Sequence, residues 1–234
     1  RSVTADAAAK TYAGTTSATD TGTVAALAGA VTGEVVDAAG SQAVLDKNAG
    51  AANKTVRASG VTIKDSGNAD VTGNYNIAYV DNTTSTINKA DVTLSTSDVT
   101  KTYDGGFSAN GTVVVTAGTI FAGDSATGGT FAFTNRNVGN GIRTVTTSGV
   151  TVGDGVNNSN YNVSYVDNTS STINKANLVL TTSDVAKTYD GTTSAAGTAQ
   201  ATGGTALLGG DLVSGGSFAF TDKNAGTGNK TVTT

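Results

Sequence analysis

The sequence predicts an all-β protein made of small antiparallel β-sandwich domains, Ig-like in plan and set in tandem, with β-grasp-like repeats as the alternative. Charged residues make up only 14% of the chain, so Thr, Ser, Asn and Gly must cover much of the surface. These residues are weak helix formers, and they suit sheets with short turns. Short runs alternate apolar and polar residues with the period of a strand. The same markers also return every 86 to 91 residues.

Three markers recur in a fixed order. Lys-Thr-Tyr-Asp-Gly begins at residues 101 and 187, and the copy at residue 10 has Ala13 in place of the aspartate. Asp-Lys-Asn-Ala-Gly begins at 46 and 222, with Asn-Arg-Asn-Val-Gly at 135. An Asn-Tyr-Asn block begins at 74 and 160, and Ser-Thr-Ile-Asn-Lys-Ala follows at 85 and 171. A period of this length is the size of a small domain rather than of one solenoid coil.

The markers divide the chain into three predicted domains: a divergent repeat 1 over 1–90, a complete repeat 2 over 91–176, and a truncated repeat 3 over 177–234. Repeat 1 has Gln42 and Val44 where the other repeats have paired phenylalanines. We expect it to fold like the others, with a less aromatic core. The connection from residue 86 to 94 contains no Gly or Pro, so we expect it to be stiff.

Repeat 2 shows the strand pattern most clearly, and it predicts six or seven short strands per repeat, typical of a sandwich. Alternation or β-branched runs place strands at residues 91–94, 113–115, 131–133, 145, 150–152 and 161–165. The pairs Asp104-Gly105 and Asp190-Gly191 predict tight turns, because glycine tolerates positive φ and aspartate caps the turn.

Composition excludes several classes of function. The chain has no His and no Cys, which removes the commonest general base and the usual zinc ligands. We therefore predict that it is not an enzyme, and we predict no catalytic, cofactor-binding or metal-binding residues and no cofactor. A net charge of −4 argues against nucleic-acid binding. No apolar run reaches the ~20 residues of a membrane span, so we expect no membrane insertion of this segment.

Two sets of repeated residues are candidate binding sites. Aspartates in predicted loops are candidate calcium ligands at a junction, although no convergent calcium loop occurs and turn capping is the preferred interpretation. Tyrosines are candidate sugar-stacking residues, although their spacing favours packing with a hydrogen-bonded hydroxyl. The aspartates are Asp81, Asp124, Asp154, Asp167 and Asp211; the tyrosines are Tyr75, Tyr79, Tyr161 and Tyr165, with Tyr12, Tyr103 and Tyr189 as packing anchors.

Together, the three markers resemble the YDG-type repeats of filamentous-haemagglutinin-like adhesins, giant proteins of Gram-negative bacteria exported by two-partner secretion. The resemblance covers essentially the whole chain. It implies a secreted or outer-membrane-associated extracellular protein that acts in cell adhesion and biofilm formation, with an outer-membrane secretion partner. Ala13 departs from the pattern and puts in question only the chemistry of that turn.

Two functional hypotheses follow from the repeats. The first is a structural stalk that extends a binding region, so that any contact with matrix polysaccharide or surface glycan is made by other parts of the parent adhesin. The alternative is a multivalent module whose repeats themselves bind glycan or matrix polysaccharide, since copies of a weak site raise avidity. Binding by an isolated repeat distinguishes the two.

Overall fold

The computed structural model describes residues 1–18, 25–28, 31–38, 40–153, 160–204 and 207–234, which are mostly strands and turns. The only helical element that lies wholly within them is a single 3-10 turn, Thr72–Asn74. The predicted all-β class is confirmed. The helix that a β-grasp packs on its sheet is not found in this part of the chain. Nor does any helix in the described ranges have the length and apolar character needed to cross a membrane.

Repeat 1 contributes nine described strands in three sheets. The strand orders are β3-β1-β8, β2-β9-β6-β5 and β4-β7. The strands are β1 Ser2–Thr4, β2 Ala9–Thr11, β3 Ala25–Ala28, β4 Val35–Ala38, β5 Ser41–Val44, β6 Gly50–Ser59, β7 Thr62–Lys64, β8 Ala78–Val80 and β9 Asn82–Asn88.

Repeat 2 has the same plan, with strand orders β12-β10-β15 and β11-β16-β14-β13. The strands predicted at 145 and at 150–152 belong to one continuous strand, which runs through Gly149 although that residue has a φ of +66°. The strands are β10 Ala90–Thr96, β11 Thr100–Thr102, β12 Val113–Gly118, β13 Ser125–Phe133, β14 Gly139–Gly153, β15 Tyr161–Tyr165 and β16 Asn168–Asn174.

Repeat 3 forms two smaller sheets among the described residues, β17-β19 and β18-β20-β21. Its core side chains are only partly covered: Phe218 and Phe220 are half-buried, whereas Phe133 of repeat 2 is 2% exposed. The strands are β17 Leu178–Thr182, β18 Ser194–Ala195, β19 Ala199–Gly204, β20 Phe218–Phe220 and β21 Val232–Thr233.

Four sheets of repeats 1 and 2 contain a parallel pair, which corrects the prediction of purely antiparallel sandwiches; the described sheets of repeat 3 are antiparallel. β10 pairs in parallel with β15, from Ala90 opposite Tyr161 to Leu94 opposite Tyr165. The pairs β1–β8, β2–β9 and β11–β16 are parallel as well. In each parallel pair, a strand near the end of a repeat lies beside a strand near its beginning. Parallel pairing requires the long connection that separates them. Residue alternation predicts a strand but carries no information on its direction.

The described residues form two compact units: 1–95 with 112–130 and 147–166, and 96–111 with 131–146 and 167–234. The first unit thus holds all of repeat 1 together with β12, β15, most of β10 and parts of β13 and β14 of repeat 2. Its core is continuous across the repeat boundary, because Val44 and Val56 belong to the same buried cluster as Val92, Leu94 and Val152. The division into three domains by sequence repeat remains a prediction.

The connection between the first two repeats is short, as expected. β9 ends at Asn88 and β10 begins at Ala90, so only Lys89 lies between the two strands. Ile87, at the end of the repeated Ser-Thr-Ile segment, is 1% exposed and belongs to the same cluster. The chain therefore enters repeat 2 directly from a half-buried strand, and the stiffness of this connection remains a prediction.

Candidate functional site at the repeat junction

The Lys-Thr-Tyr-Asp-Gly marker forms a tight turn closed by its own lysine. In repeat 2, Lys101 Nζ donates to Asp104 Oδ1 at 2.7 Å and to the carbonyl oxygens of Gly106 and Ser108 at 2.9 and 3.1 Å. Asp104 also accepts the Gly106 N–H at 2.9 Å. Gly105 has a φ of +75°, a conformation that favours glycine. The predicted Asp-Gly turn is therefore confirmed.

The same lysine sets the charge state of the turn aspartate. Hydrogen bonds from Lys101 and from the Gly106 N–H lower the pKa of Asp104. Lys187 and Thr192 lower the pKa of Asp190 to about 2 in the same way. These aspartates are ionised turn caps, as the sequence suggested.

The divergent first copy keeps the turn without the aspartate. Lys10 Nζ donates to the carbonyl oxygens of Thr15 and Ser17 at 3.2 and 2.6 Å. Gly14 has a φ of +71°, close to the values at Gly105 and Gly191. Ala13 thus removes one acceptor of the lysine and leaves the backbone turn in place.

The marker tyrosine of repeat 1 is buried against repeat 2. Tyr12 is 1% exposed, and its hydroxyl donates to Asp124 Oδ2 at 2.8 Å. The Tyr161 hydroxyl donates to the same oxygen at 2.6 Å, and the Phe121 N–H donates to the Tyr161 hydroxyl at 3.0 Å. One carboxylate oxygen therefore joins a tyrosine of each repeat, and all these residues lie in the first compact unit.

Three aromatic rings pack around this carboxylate. Tyr12 meets Phe121 and Tyr161 edge to face, with ring centroids 5.7 and 5.4 Å apart. Phe121 and Tyr161 stack at 6.4 Å. Edge-to-face and offset pairs at these distances are favourable beyond the area they bury. The cluster combines apolar packing with a charge-assisted hydrogen-bond centre.

The other two markers meet at the same junction. Asn160, which opens the Asn-Tyr-Asn block of repeat 2, is 1% exposed. Its Nδ2 donates to Asn48 Oδ1 at 2.9 Å, and its Oδ1 accepts the Ala49 N–H at 2.8 Å. Asn48 and Ala49 lie in the Asp-Lys-Asn-Ala-Gly turn of repeat 1, where Asp46 accepts the Asn48 N–H at 3.0 Å. All three markers therefore contribute to one interface between consecutive repeats.

A second junction, in the second compact unit, repeats the contact between tyrosine and carboxylate. The Tyr103 hydroxyl donates to Asp211 Oδ2 at 2.7 Å, and this bond raises the pKa of Tyr103. Arg136 donates to the carbonyl oxygens of Gly105 and Gly209 at 3.2 and 2.9 Å. Asp211 ends the segment Leu208-Gly-Gly-Asp211, as Asp124 ends Phe121-Ala-Gly-Asp124. The marker tyrosine thus bonds the Gly-Asp turn of the following repeat at both junctions.

Repeat 1 has an acid at the corresponding position, although it is a glutamate. Glu34 accepts a hydrogen bond from Tyr75, the counterpart of Tyr161. Arg1 pairs with Glu34 at 3.4 Å and lies over the Tyr75 ring at 4.4 Å. The acid that follows glycine in this turn therefore accepts a tyrosine hydroxyl in each of the three repeats.

The other candidate residues have simpler roles. Asp81 forms a bidentate pair with Arg57 at 2.9 and 2.7 Å, which lowers the Asp81 pKa. Asp167 is exposed, and Asp154 lies outside the described residues. Within the described ranges, no group of three or more acidic side chains is placed to hold a metal ion. The sequence identified Asp124 and Asp211 as repeated loop residues and missed their tyrosine partners, of which Tyr12 and Tyr103 lie about a hundred residues away.

Two repeated tyrosines differ from the packing prediction. Tyr79 and Tyr165 are 36% and 39% exposed, so they are not core residues. Their hydroxyls accept the backbone N–H groups of Val61 and Val150 at 3.2 and 3.0 Å. The predicted hydroxyl hydrogen bond is therefore present, while one side of each ring faces solvent.

We expect the hydroxyl of Tyr161 to lose its proton only at high pH in the folded protein. Burial, followed by the hydrogen bond to Asp124, raises its pKa to about 12. Because the folded pKa exceeds the unfolded value, the resulting stability is fully present below pH ~10 and is lost as the pH rises through about 12. Site-resolved NMR of labelled tyrosine checks this. An Asp124→Asn variant should lower the midpoint, and an unchanged midpoint would contradict the assigned contact.

We expect Gly105→Ala to destabilise the protein more than Gly191→Ala. Both glycines have positive φ, at +75° and +77°, so both variants carry a backbone cost of about 1–2 kcal/mol. A Cβ on Gly105 would lie 2.6 Å from the Gly209 nitrogen, whereas one on Gly191 meets nothing within 4 Å. The clash adds roughly 1–3 kcal/mol. Urea unfolding measures the difference, and equal losses would contradict the close approach of Gly209.

Comparison with known families agrees with the sequence markers. The YDG domain family matches residues 88–171 and 174–234. No curated protein and no solved structure matches the chain significantly. The matched ranges contain both intact Tyr-Asp-Gly triplets, Tyr103–Gly105 and Tyr189–Gly191, and they cover more than half of the chain. The chain is therefore a member of the YDG domain family.

Proposed function

We propose that this chain is part of the stalk of a large adhesin of the filamentous-haemagglutinin-like type, secreted or attached to the surface of a Gram-negative bacterium. Its repeats extend a binding region for cell–cell or cell–matrix adhesion and biofilm formation. The parent protein is exported through an outer-membrane partner, and contacts with matrix polysaccharide or surface glycan belong to its other regions.

The observation that carries this proposal is that repeated polar side chains contact one another between consecutive repeats. Two hydrogen bonds cross a repeat boundary, one between Tyr12 and Asp124 and the other between Asn160 and Asn48. A binding or catalytic module instead presents its repeated polar groups to solvent or to a cleft. Side chains that join successive repeats suit a protein that has to transmit mechanical load along its length.

In this proposal the chain itself has no catalytic residue. Histidine and cysteine do not occur in the sequence, and the turn aspartates Asp104 and Asp190 are bound by their own lysines. A carboxylate with a lowered pKa and a fixed lysine partner is a poor general acid or base near neutral pH. We therefore propose a non-enzymatic role.

One observation favours the alternative of a multivalent glycan-binding module. Tyr79 and Tyr165 occupy corresponding positions in repeats 1 and 2 and are 36% and 39% exposed. Exposed aromatic faces are suited to contact with apolar sugar faces, and two copies would act by avidity. In this second candidate function, Tyr165→Ala removes one of the contacts and substitutes none of the residues in the Tyr12–Asp124 and Asn48–Asn160 hydrogen bonds.

Replacement of the repeats separates the two functions. The parent adhesin is displayed on cells with this segment deleted, intact, or replaced by an unrelated β-repeat spacer of similar length. The stalk proposal expects adhesion to fall on deletion and to return with the unrelated spacer. If only the native repeats restore adhesion, and Tyr165→Ala weakens it, the stalk proposal fails in favour of glycan binding.

A further inference from the structure

The strands that open a repeat are bonded to the strands that close it. In repeat 1, the opening strands β1 and β2 pair with the closing strands β8 and β9. In repeat 2, β10 and β11 pair with β15 and β16 in the same way. All four pairs are parallel. The beginning and the end of each of these two repeats are therefore held together by strands that run in the same direction.

Strand direction decides how such a pair responds to tension along the chain. Tension pulls the opening strand at its N-terminal end and the closing strand at its C-terminal end. In a parallel pair these two points lie at opposite ends of the pair, so the hydrogen bonds between the strands are loaded together, in shear. In an antiparallel pair the two points would lie side by side, and the bonds would break one after another.

Backbone hydrogen bonds span the β2–β9 pair of repeat 1, within the first compact unit. The Thr86 N–H donates to the Ala8 carbonyl at 2.8 Å, and the Tyr12 N–H donates to the Asn88 carbonyl at 2.8 Å. Because both bonds cross between the same two strands, neither strand can slide along the other without breaking both. The corresponding bonds of repeat 2 are 2.8 and 2.9 Å long and join Thr172 to Val99 and Tyr103 to Asn174.

A buried serine adds a further bond between the opening and closing strands. Ser85 is 1% exposed; its Oγ accepts the Ala8 N–H at 3.0 Å and donates to Asn82 Oδ1 at 2.9 Å. Ser171 of repeat 2 makes the matching bonds at 2.9 and 2.8 Å. Both serines begin the repeated Ser-Thr-Ile-Asn-Lys-Ala segment. This segment therefore ties the end of a repeat to its beginning.

Apolar packing opposes the same sliding movement. Ala8 and Ile87, on either side of the bonds in repeat 1, are 3% and 1% exposed and belong to one buried cluster. Val99 and Ile173 are 4% and 0% exposed in the cluster of repeat 2. Displacement of the strands in shear therefore exposes apolar side chains at the same time as it breaks hydrogen bonds.

We infer that the opening and closing strands of repeats 1 and 2 form a shear clamp, which keeps each repeat folded under tension along the chain. The buried serine of the Ser-Thr-Ile-Asn-Lys-Ala segment is one of the residues that resist the shear. The inference deepens the proposed stalk function, and its biological use rests on that function, because a stalk carries the force between a cell and its target. The clamp itself follows from strand direction and is measurable on the isolated chain.

Force spectroscopy of the whole chain in two pulling geometries tests the clamp of repeat 1. The chain contains no cysteine, so two introduced cysteines can carry the handles. Ala7→Cys with Lys89→Cys loads β2 and β9 in shear, whereas Ala7→Cys with Thr84→Cys peels the same strands apart from their N-terminal ends. All three residues are exposed. At equal loading rate the shear geometry should rupture at a force at least about 1.5 times that of the peeling geometry, because forced unfolding follows the barrier along the pulled direction. Any smaller ratio would overturn the inference.

Two substitutions in the shear geometry test the serine. Ser85→Ala should lower the rupture force, because it removes the acceptor of the Ala8 N–H. Thr83→Ala changes an exposed residue of the same strand, and it is the matched control that should leave the force unchanged. Equal forces for the two variants would refute the role of the serine. The comparison of the two pulling geometries needs neither variant. A weak clamp would refute this inference and leave the stalk proposal, which is tested by adhesion with the unrelated spacer, standing.

Discussion

Replacing Tyr12 with alanine is expected to lower the free energy of unfolding by about 3–5 kcal/mol, the usual range for removing a buried aromatic side chain. Tyr12 is 1% exposed and packs edge to face on Phe121 and Tyr161. Its loss leaves a cavity between two repeats and removes a hydrogen bond to Asp124. Urea unfolding followed by circular dichroism measures the effect.

The chain contains its own control for this variant. Tyr189 occupies the same position of the same marker in repeat 3 but is 60% exposed. Tyr189→Ala should therefore change stability by no more than about 0.5 kcal/mol. Similar losses for the two variants would mean that the tyrosine serves its own turn rather than the contact with the next repeat.

Removing the Asp124 carboxylate is expected to cost about 2–4 kcal/mol. Two hydroxyl groups, those of Tyr12 and Tyr161, donate to its Oδ2 at 2.8 and 2.6 Å. Each charge-assisted hydrogen bond contributes roughly 1.5–3 kcal/mol, and the two share one oxygen, so the sum is smaller than twice that range. Asp124→Ala leaves both buried hydroxyls without this acceptor. The measurement is urea unfolding of the variant.

Asp167→Ala is the matched control, because Asp167 is an exposed aspartate of the same repeat. It should alter the unfolding free energy by less than about 0.5 kcal/mol. If Asp124→Ala were as mild as Asp167→Ala, the carboxylate would not hold the junction together.

Local sequence features predicted the elements but not their partners. The alternation of Tyr161, Val163 and Tyr165 predicted strand β15. The pair Asp104-Gly105 predicted the tight turn that follows β11. The parallel register of β15 on β10 was not predictable, because side-chain period is the same in parallel and antiparallel strands. The strand direction depends on a connection about seventy residues long, which carries no periodic signal.

The role of Asp124 was missed for the same reason. Its neighbours Gly123 and Ser125 are typical of a turn, and a turn aspartate has an adequate local explanation. Its partner Tyr12 is 112 residues away. A usable signal was nevertheless present: an acid stands at this position in every repeat, as Glu34, Asp124 and Asp211. A repeated acid with a repeated tyrosine elsewhere is a pairing hypothesis that the sequence permits.

The three marker tyrosines lie in nearly the same local sequence but differ in their exposure to solvent. Tyr12 is 1% exposed, Tyr103 is half-buried and Tyr189 is 60% exposed. Tyr12 contacts both a Gly-Asp turn and an Asn-Tyr-Asn block, and Tyr103 is bonded to a Gly-Asp turn. The contacts of Tyr12 and Tyr103 thus come from the repeat that follows each of them, and the local sequence of the marker does not contain them.

A double-mutant cycle between Tyr12 and Asp124 tests most directly whether the markers join consecutive repeats. The variants Tyr12→Phe, Asp124→Ala and their combination are unfolded in urea under the same conditions. A direct hydrogen bond across the junction predicts that the second substitution costs at least about 1 kcal/mol less in the presence of the first. Costs that add to within about 0.3 kcal/mol would contradict the account, because the two residues would then act independently.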